Sequence, residues 1–316
     1  MFKKIREEYR SESVIVVSGL GEMDLTDTLE CGQAFRYEKT VDTEEYKEYI
    51  TVAYDVLIRV GQRVRGELIF FGLTDEEFER VAVPYFALDA DFEAIRQDII
   101  SRTDSEWLKA AAHSARGIFI LRQEPWEALF SFIVSQNNNI PRIRKIIRSL
   151  SLSYGRNLAV ERNLKSCPLG KCEGCPSSEA CAECGICYTF PRPADVASEP
   201  EKMLPSKPGF RYKYLISAAE RTLSGETDLD AIAKMNSYEY TVAELKKILG
   251  VGDKVASCVA LFGFSNLEAF PIDVWMKRAI DEYFGGKLDP KSLGKYAGVA
   301  QQYIFHYIRN LEENVN

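Results

Sequence analysis

The chain has 316 residues, 46% of them hydrophobic and 28% charged, a composition that excludes a disordered protein and suits a soluble globular enzyme. Its formal net charge is −7 and its pI about 5.2, which excludes coating of nucleic acid by bulk attraction and leaves only local contacts open. No apolar run approaches the ~20 residues that cross a bilayer, and the opening MFKKIREEYRSES lacks the apolar stretch of a signal peptide. A cytoplasmic protein with no membrane partner is expected, associated with the nucleoid if prokaryotic.

From about Ser13 to Gly72 the segments VIVVSGL, CGQAFRY, YITVAYDVLIRV and ELIFFG, separated by polar turns, predict an antiparallel sheet. The periodicity turns helical from Asp75, through DFEAIRQDIISR and SEWLKAAAHSA, and from Pro125 nearly every segment reads as helix. The expected fold class is α+β: a β-rich N-terminal domain with helices over 1–120, then an all-α bundle over 121–316. Pro125 starts the helix WEALFSFIVSQ, the polar loop NNNIP follows, and RIRKIIRSLSLS carries Ile143, Ile146, Ile147 and Leu150 on one face. Basic residues cluster at Arg142, Arg144, Lys145 and Arg148, at Lys207, Arg211 and Lys213, and at Lys246, Lys247 and Lys254. Each cluster reads as a solvated helix face or as a phosphate track.

Residues 163–190 interrupt the bundle. Six of the eight cysteines, Cys167, Cys172, Cys175, Cys181, Cys184 and Cys187, lie there among few core-forming side chains. The spacing predicts a metal-binding insertion, because such a segment cannot fold by apolar burial. A disulfide framework is disfavoured in a cytoplasmic setting. Tetrahedral zinc and a [4Fe–4S] cluster each take four thiolates, and CxxC pairs serve both; structural zinc is the expectation and the cluster the alternative. Cys31 and Cys258 stand apart and read as small buried hydrophobes.

Further on, LGVGDKVASCVALFGFSNLEAFPIDVWMKR runs from Leu249 to Arg278. Gly250 and Gly252 flank Val251 and allow a tight turn at φ values closed to other residues, leaving amide groups at a helix N-terminus where a phosphate can sit. Lys254 falls in the first turn of the helix that follows, and Asp273 is the expected N-cap of the next one. An amine and a carboxylate would then face one cavity.

This stretch resembles the helix-hairpin-helix motif, with its Gly/Pro-rich loop and Asp, of the base-excision DNA glycosylases, and within them the chain is similar to the 8-oxoguanine DNA glycosylase family. Four further segments match that family in order: CGQAFRY at Cys31 to Tyr37, FSFIVSQNNNIPRI at Phe130 to Ile143, GFRYKY at Gly209 to Tyr214, and YAGVAQQYIF at Tyr296 to Phe305. The resemblance covers most of the chain except the cysteine-rich insertion. There, the series Cys167, Cys172, Cys175, Cys181 resembles the iron–sulfur loop of the endonuclease III family, although that loop has a longer first spacing and follows the catalytic domain.

The resemblance implies a bifunctional glycosylase and AP lyase, without a catalytic cofactor, that acts on double-stranded DNA containing an oxidised base; a monomer is the expectation, as the simplest way to bend and probe a duplex. By the same resemblance Lys254 is the nucleophile at the sugar C1′, and Asp273 stabilises the charge that develops on the sugar; β-elimination then cleaves the strand. Gly32 matches the glycine whose carbonyl accepts the N7–H of 8-oxoguanine, Cys258 and Phe305 the residues that sandwich the flipped base, and Gln301 the one that reads its Watson–Crick edge. Asn137 matches the residue that fills the vacated stack, and Arg142 and Arg211 those that bond the orphaned cytosine. Phe210 stands where eukaryotic members have a tyrosine wedge, and Trp275 where they carry a phosphate-binding histidine. Pro141, just before Arg142, weakens the expectation of a strict opposite-base preference. Two other readings stay open: a glycosylase of the same superfamily for another oxidised or alkylated base, and a non-catalytic metal-containing DNA-binding protein.

Overall fold

The computed structural model describes residues 2–164 and 182–313. Six antiparallel strands form one sheet in the order β1-β2-β6-β5-β4-β3, with β1 at Lys3–Tyr9, β2 at Glu12–Ser18, β3 at Tyr37–Asp42, β4 at Lys47–Ala53, β5 at Val56–Gln62 and β6 at Glu67–Phe71. The edge strand β1 precedes the start expected from the sequence. Its residues KKIREEY are mostly polar, as suits an edge that must not recruit another chain. The run YITVAYDVLIRV is two strands, because Tyr54 and Asp55 both take positive φ (47° and 61°) and make the two-residue turn whose twist matches a hairpin. Arg10 and Ser11 (φ 53° and 62°) do the same between β1 and β2.

CGQAFRY is not the expected strand. Helix α1, Leu25–Glu30, ends just before it, and Cys31–Arg36 form a turn that enters β3 only at Tyr37. The cause is Gln33, fully buried. Its Nε2 donates to the carbonyls of Thr28 and Phe119, each at 2.8 Å, and its Oε1 accepts from the Leu121 amide at 2.9 Å. A side chain thus supplies the bonds that a ladder would otherwise make.

The longer helices are α2 (Phe92–Ser101), α3 (Glu106–Ser114), α4 (Pro125–Ser135), α5 (Ile140–Tyr154), α6 (Tyr212–Leu223), α7 (Tyr238–Leu245), α8 (Asp253–Gly263), α9 (Val274–Tyr283) and α10 (Ala297–Glu313). The α+β class is as expected, but one apolar core runs from sheet residues such as Ile15 and Phe70 through Phe130 and Val259 to Ile304. Trp107 of α3 stacks on Tyr283 of α9 with ring centroids 4.4 Å apart, so contacts cross the change from sheet to bundle.

The other face of the sheet is also covered. Ile50, Val52 and Leu57 pack with Leu158, Ala159, Ile186 and Cys187. Around them Arg36, itself ion-paired with Glu127 at 2.8 Å, donates to the Tyr188 carbonyl, and the Trp126 indole donates to the Pro191 carbonyl at 2.6 Å. The C-terminal end of the cysteine-rich segment is therefore fastened to both sheet and bundle. Cys167, Cys172, Cys175 and Cys181 lie outside the described residues, while Cys184 and Cys187 share the short 3-10 helix Ala182–Cys187.

Candidate active site

Helices α7 and α8 form a hairpin. Gly250 turns it at φ +81°, and a Cβ there would come within 2.4 Å of the Tyr214 ring, so both backbone and packing demand glycine. Gly252 departs from the expectation: it is the N-cap of α8 at φ −98°, ψ −176°, an extended conformation open to any residue, and a Cβ there would meet nothing within 4 Å. Its N-cap has no side-chain acceptor, which leaves the first-turn amides of α8 uncapped and suited to an anion.

Lys254 lies in that first turn, half-buried, with Nζ 5.4 Å from the centre of the Phe132 ring. Among the described residues no carboxylate approaches it within 4.0 Å. Asp273 is the N-cap of α9 as expected, its Oδ1 accepting from the Met276 amide at 2.8 Å. Both side chains line one cleft of about 330 Å³ together with Gly32, Phe132, Cys258, Phe262, Pro271, Gln301, Gln302 and Phe305. The structure thus gathers an amine, a carboxylate and the four residues matched to base recognition.

The walls of the cleft are closely packed. Gly32 takes φ +87°, and a Cβ there would touch the Phe305 ring at 3.4 Å; Gln123 Nε2 donates to the Gln33 carbonyl at 2.6 Å and pins the same turn. Phe132 stacks on Phe262 with centroids 5.4 Å apart and planes at 14°. Burial pushes the Cys258 thiol up, opposed by the charge of Lys254 one turn earlier, so Cys258 offers a neutral, polarizable surface. Cys31, buried outside the cleft, is pushed up to about 12 by its burial. Phe132, Phe262, Pro271 and Gln302 were not singled out from the sequence; a Phe or Gln on an apolar helix face carries no local sign of lining a cavity.

A second group lies on the turn between α4 and α5. Asn137 is exposed at φ 46°, and Asn139 caps α5, accepting from the Arg142 amide at 3.0 Å. Arg211, only 3% exposed, donates through Nε to the Gln136 carbonyl at 2.8 Å and through Nη2 to the Asn137 carbonyl at 2.9 Å, with Nη1 at 3.3 Å from the Pro208 carbonyl. Its guanidinium holds the backbone that presents Asn137. Arg142 is exposed nearby, and Phe210 is 49% exposed with the Arg211 guanidinium 4.4 Å from its ring centre. Trp275 is half-buried against the core beside Asp273. Of the basic clusters, Arg144 and Arg148 pair with Glu38 at 3.1 and 2.8 Å and Lys247 with Glu244 at 2.6 Å, whereas Arg142, Lys145 and Lys213 are exposed.

An antiparallel sheet beside a helical bundle, with a lysine at a hairpin-helix start sharing one cleft with an N-cap aspartate, defines a helix-hairpin-helix DNA glycosylase. The profile of the 8-oxoguanine DNA glycosylase N-terminal domain matches residues 15–129. The 8-oxoguanine glycosylase/lyase of Clostridium acetobutylicum, solved with double-stranded DNA containing cytosine opposite 8-oxoG, is 30% identical with a TM-score of 0.80, over 98% of this chain and 99% of that one. MBOgg1, solved with a low-affinity DNA ligand, is 32% identical with the same TM-score and coverage. The N-glycosylase/DNA lyase of Saccharomyces cerevisiae is 29% identical over 81% of this chain and 67% of its own length. The chain belongs to the 8-oxoguanine DNA glycosylase family. No helix among the described residues is long and apolar enough to cross a membrane.

Proposed function

We propose that the protein extrudes 8-oxoguanine from duplex DNA, excises it by attack of Lys254 on the sugar C1′, and cleaves the resulting abasic strand. The observation that carries this reading is the convergence of Lys254 and Asp273 on the cleft that Gly32, Cys258, Gln301 and Phe305 also line. A lysine attacks only as the free amine; Lys254 Nζ lies 5.4 Å from the centre of the Phe132 ring, with no carboxylate within 4.0 Å among the described residues. As the glycosidic bond lengthens, positive charge builds on the sugar within the field of Asp273. The imine left on Lys254 acidifies the C2′ proton, and its loss expels the 3′ phosphate. Extrusion costs a few kcal/mol of unstacking, which Phe210 and Asn137 offset at the vacated step, while the uncapped amides of α8 grip phosphate. Trp275 packs beside Asp273 against the backbone of the extruded nucleotide.

With Arg211 committed to the Asn137 turn, the estranged cytosine falls to Arg142. Cleavage of 8-oxoguanine opposite each of the four bases tests both points. Release opposite cytosine is expected to lead by only about tenfold, since one such contact is worth ~1–3 kcal/mol. Release of thymine glycol but not of 8-oxoguanine would show the lesion assignment to be wrong.

We further infer that the cysteine-rich segment holds a structural zinc ion, supported by its spacing and by Cys184 and Cys187 sharing one turn. Elemental analysis is expected to find about one zinc per chain; a brown protein with iron and sulfide in place of zinc would overturn this.

A further inference from the structure

Gln302 takes no part in the chemistry at Lys254, yet it lines the same cleft. It is 5% exposed and Gln301 3%. Neighbours i and i+1 on a helix do not normally face each other, but here Gln302 Nε2 donates to Gln301 Oε1 at 2.8 Å. Gln302 Oε1 is buried with no hydrogen-bond partner among the described residues. The bonding pattern fixes the amide orientations. Turning both amides over would keep the contact but bury an unmatched NH2 in place of an unmatched carbonyl, and orphaned buried donors are the rarer of the two. Gln301 therefore keeps its two amide hydrogens and one Oε1 lone pair for a ligand.

We propose that Gln302 is a positioning residue that sets base specificity: by donating to Oε1 it locks the Gln301 amide in the orientation that favours an extruded base with a guanine-type Watson–Crick edge over one with an adenine-type edge. This rests on the excision function proposed above. A guanine-type ring brings N1–H to Gln301 Oε1 and O6 to the Gln301 amide hydrogens. An adenine-type ring brings a bare N1 lone pair and an amino group to the same locked amide, setting acceptor against acceptor or donor against donor, the kind of mismatch by which polar pockets reject analogues.

Gln302→Met keeps nearly the same volume and removes both polar atoms. Single-turnover rates are measured on duplexes containing 8-oxoguanine, 8-oxoadenine or a preformed abasic site, which presents no base to the pocket. The ratio of 8-oxoguanine excision to abasic-site cleavage is expected to fall about tenfold in Q302M, ~1.4 kcal/mol, and the 8-oxoguanine to 8-oxoadenine ratio to narrow with it. The Tm should change little, since the orphaned Gln302 carbonyl has gone while Gln301 Oε1 loses its donor. Gln302→Ala, which opens space where Q302M fills it, should lower the first ratio as well. Ratios within twofold of wild type, or a parallel loss of all activities with a lower Tm, would overturn the proposal. A wild-type protein that cleaves the abasic duplex but releases no 8-oxoguanine would instead overturn the excision function on which it rests.

Discussion

Lys254→Gln is expected to abolish strand cleavage on 8-oxoguanine duplexes and the covalent complex that borohydride traps, while binding to the same duplex survives. The expected loss is at least ~10³-fold, the scale on which removal of a covalent nucleophile falls. The fold should tolerate the change. Lys254 is half-buried in the first turn of α8; it meets the Cys258 thiol one turn on and the Phe132 ring at 5.4 Å, the latter worth ~0.5–1 kcal/mol at a partly exposed site. A variant that still forms the trapped complex would show that another amine carries the reaction.

Asp273 separates structure from chemistry more sharply. Its carboxylate caps α9 through the Met276 amide at 2.8 Å and also lines the cleft with Lys254. Asn is as good an N-cap as Asp, so Asp273→Asn keeps the helix start and removes only the charge. Excision should fall by about 10²–10³, the usual cost of losing one preorganised electrostatic group, with the Tm almost unchanged. Asp273→Ala should lose the same activity and, in addition, ~1 kcal/mol of capping, a downward shift of a few degrees. Equal Tm values for the two variants would refute the capping argument, and full activity in Asp273→Asn would refute the electrostatic one.

The sequence made these two residues legible because their roles are tied to local signals. A glycine before a helix and a Pro-Ile-Asp before the next each mark a helix start, and both starts are where expected. Other features depended on partners far along the chain. Tyr54 and Asp55 lack the Asn-Gly or Asp-Gly signature of a tight hairpin, so one apolar run concealed two strands. CGQAFRY lies among β-rich segments and reads as one of them, but Gln33 bonds to Phe119 and Leu121 and holds it as a turn. Arg211 reads, by resemblance, as a cation that reaches the orphaned cytosine, and only tertiary contact shows that it is 3% exposed and tied to the carbonyls of Gln136 and Asn137. Gln302 carries no signal beside Gln301, because helical spacing alone separates them.

The apolar patch on the back of the sheet has a consequence for how the chain must be made. Ile50, Val52 and Leu57 are sealed by Ile186 and Cys187, residues translated long after the strands they cover. A nascent chain that has finished its sheet still carries a bare, sticky face of β-structure, a state prone to pair with other chains. The cysteine-rich segment, whatever it binds, thus delivers the cover that completes the N-terminal sheet. A fragment ending near residue 129 should accordingly be insoluble or oligomeric, although it contains every strand.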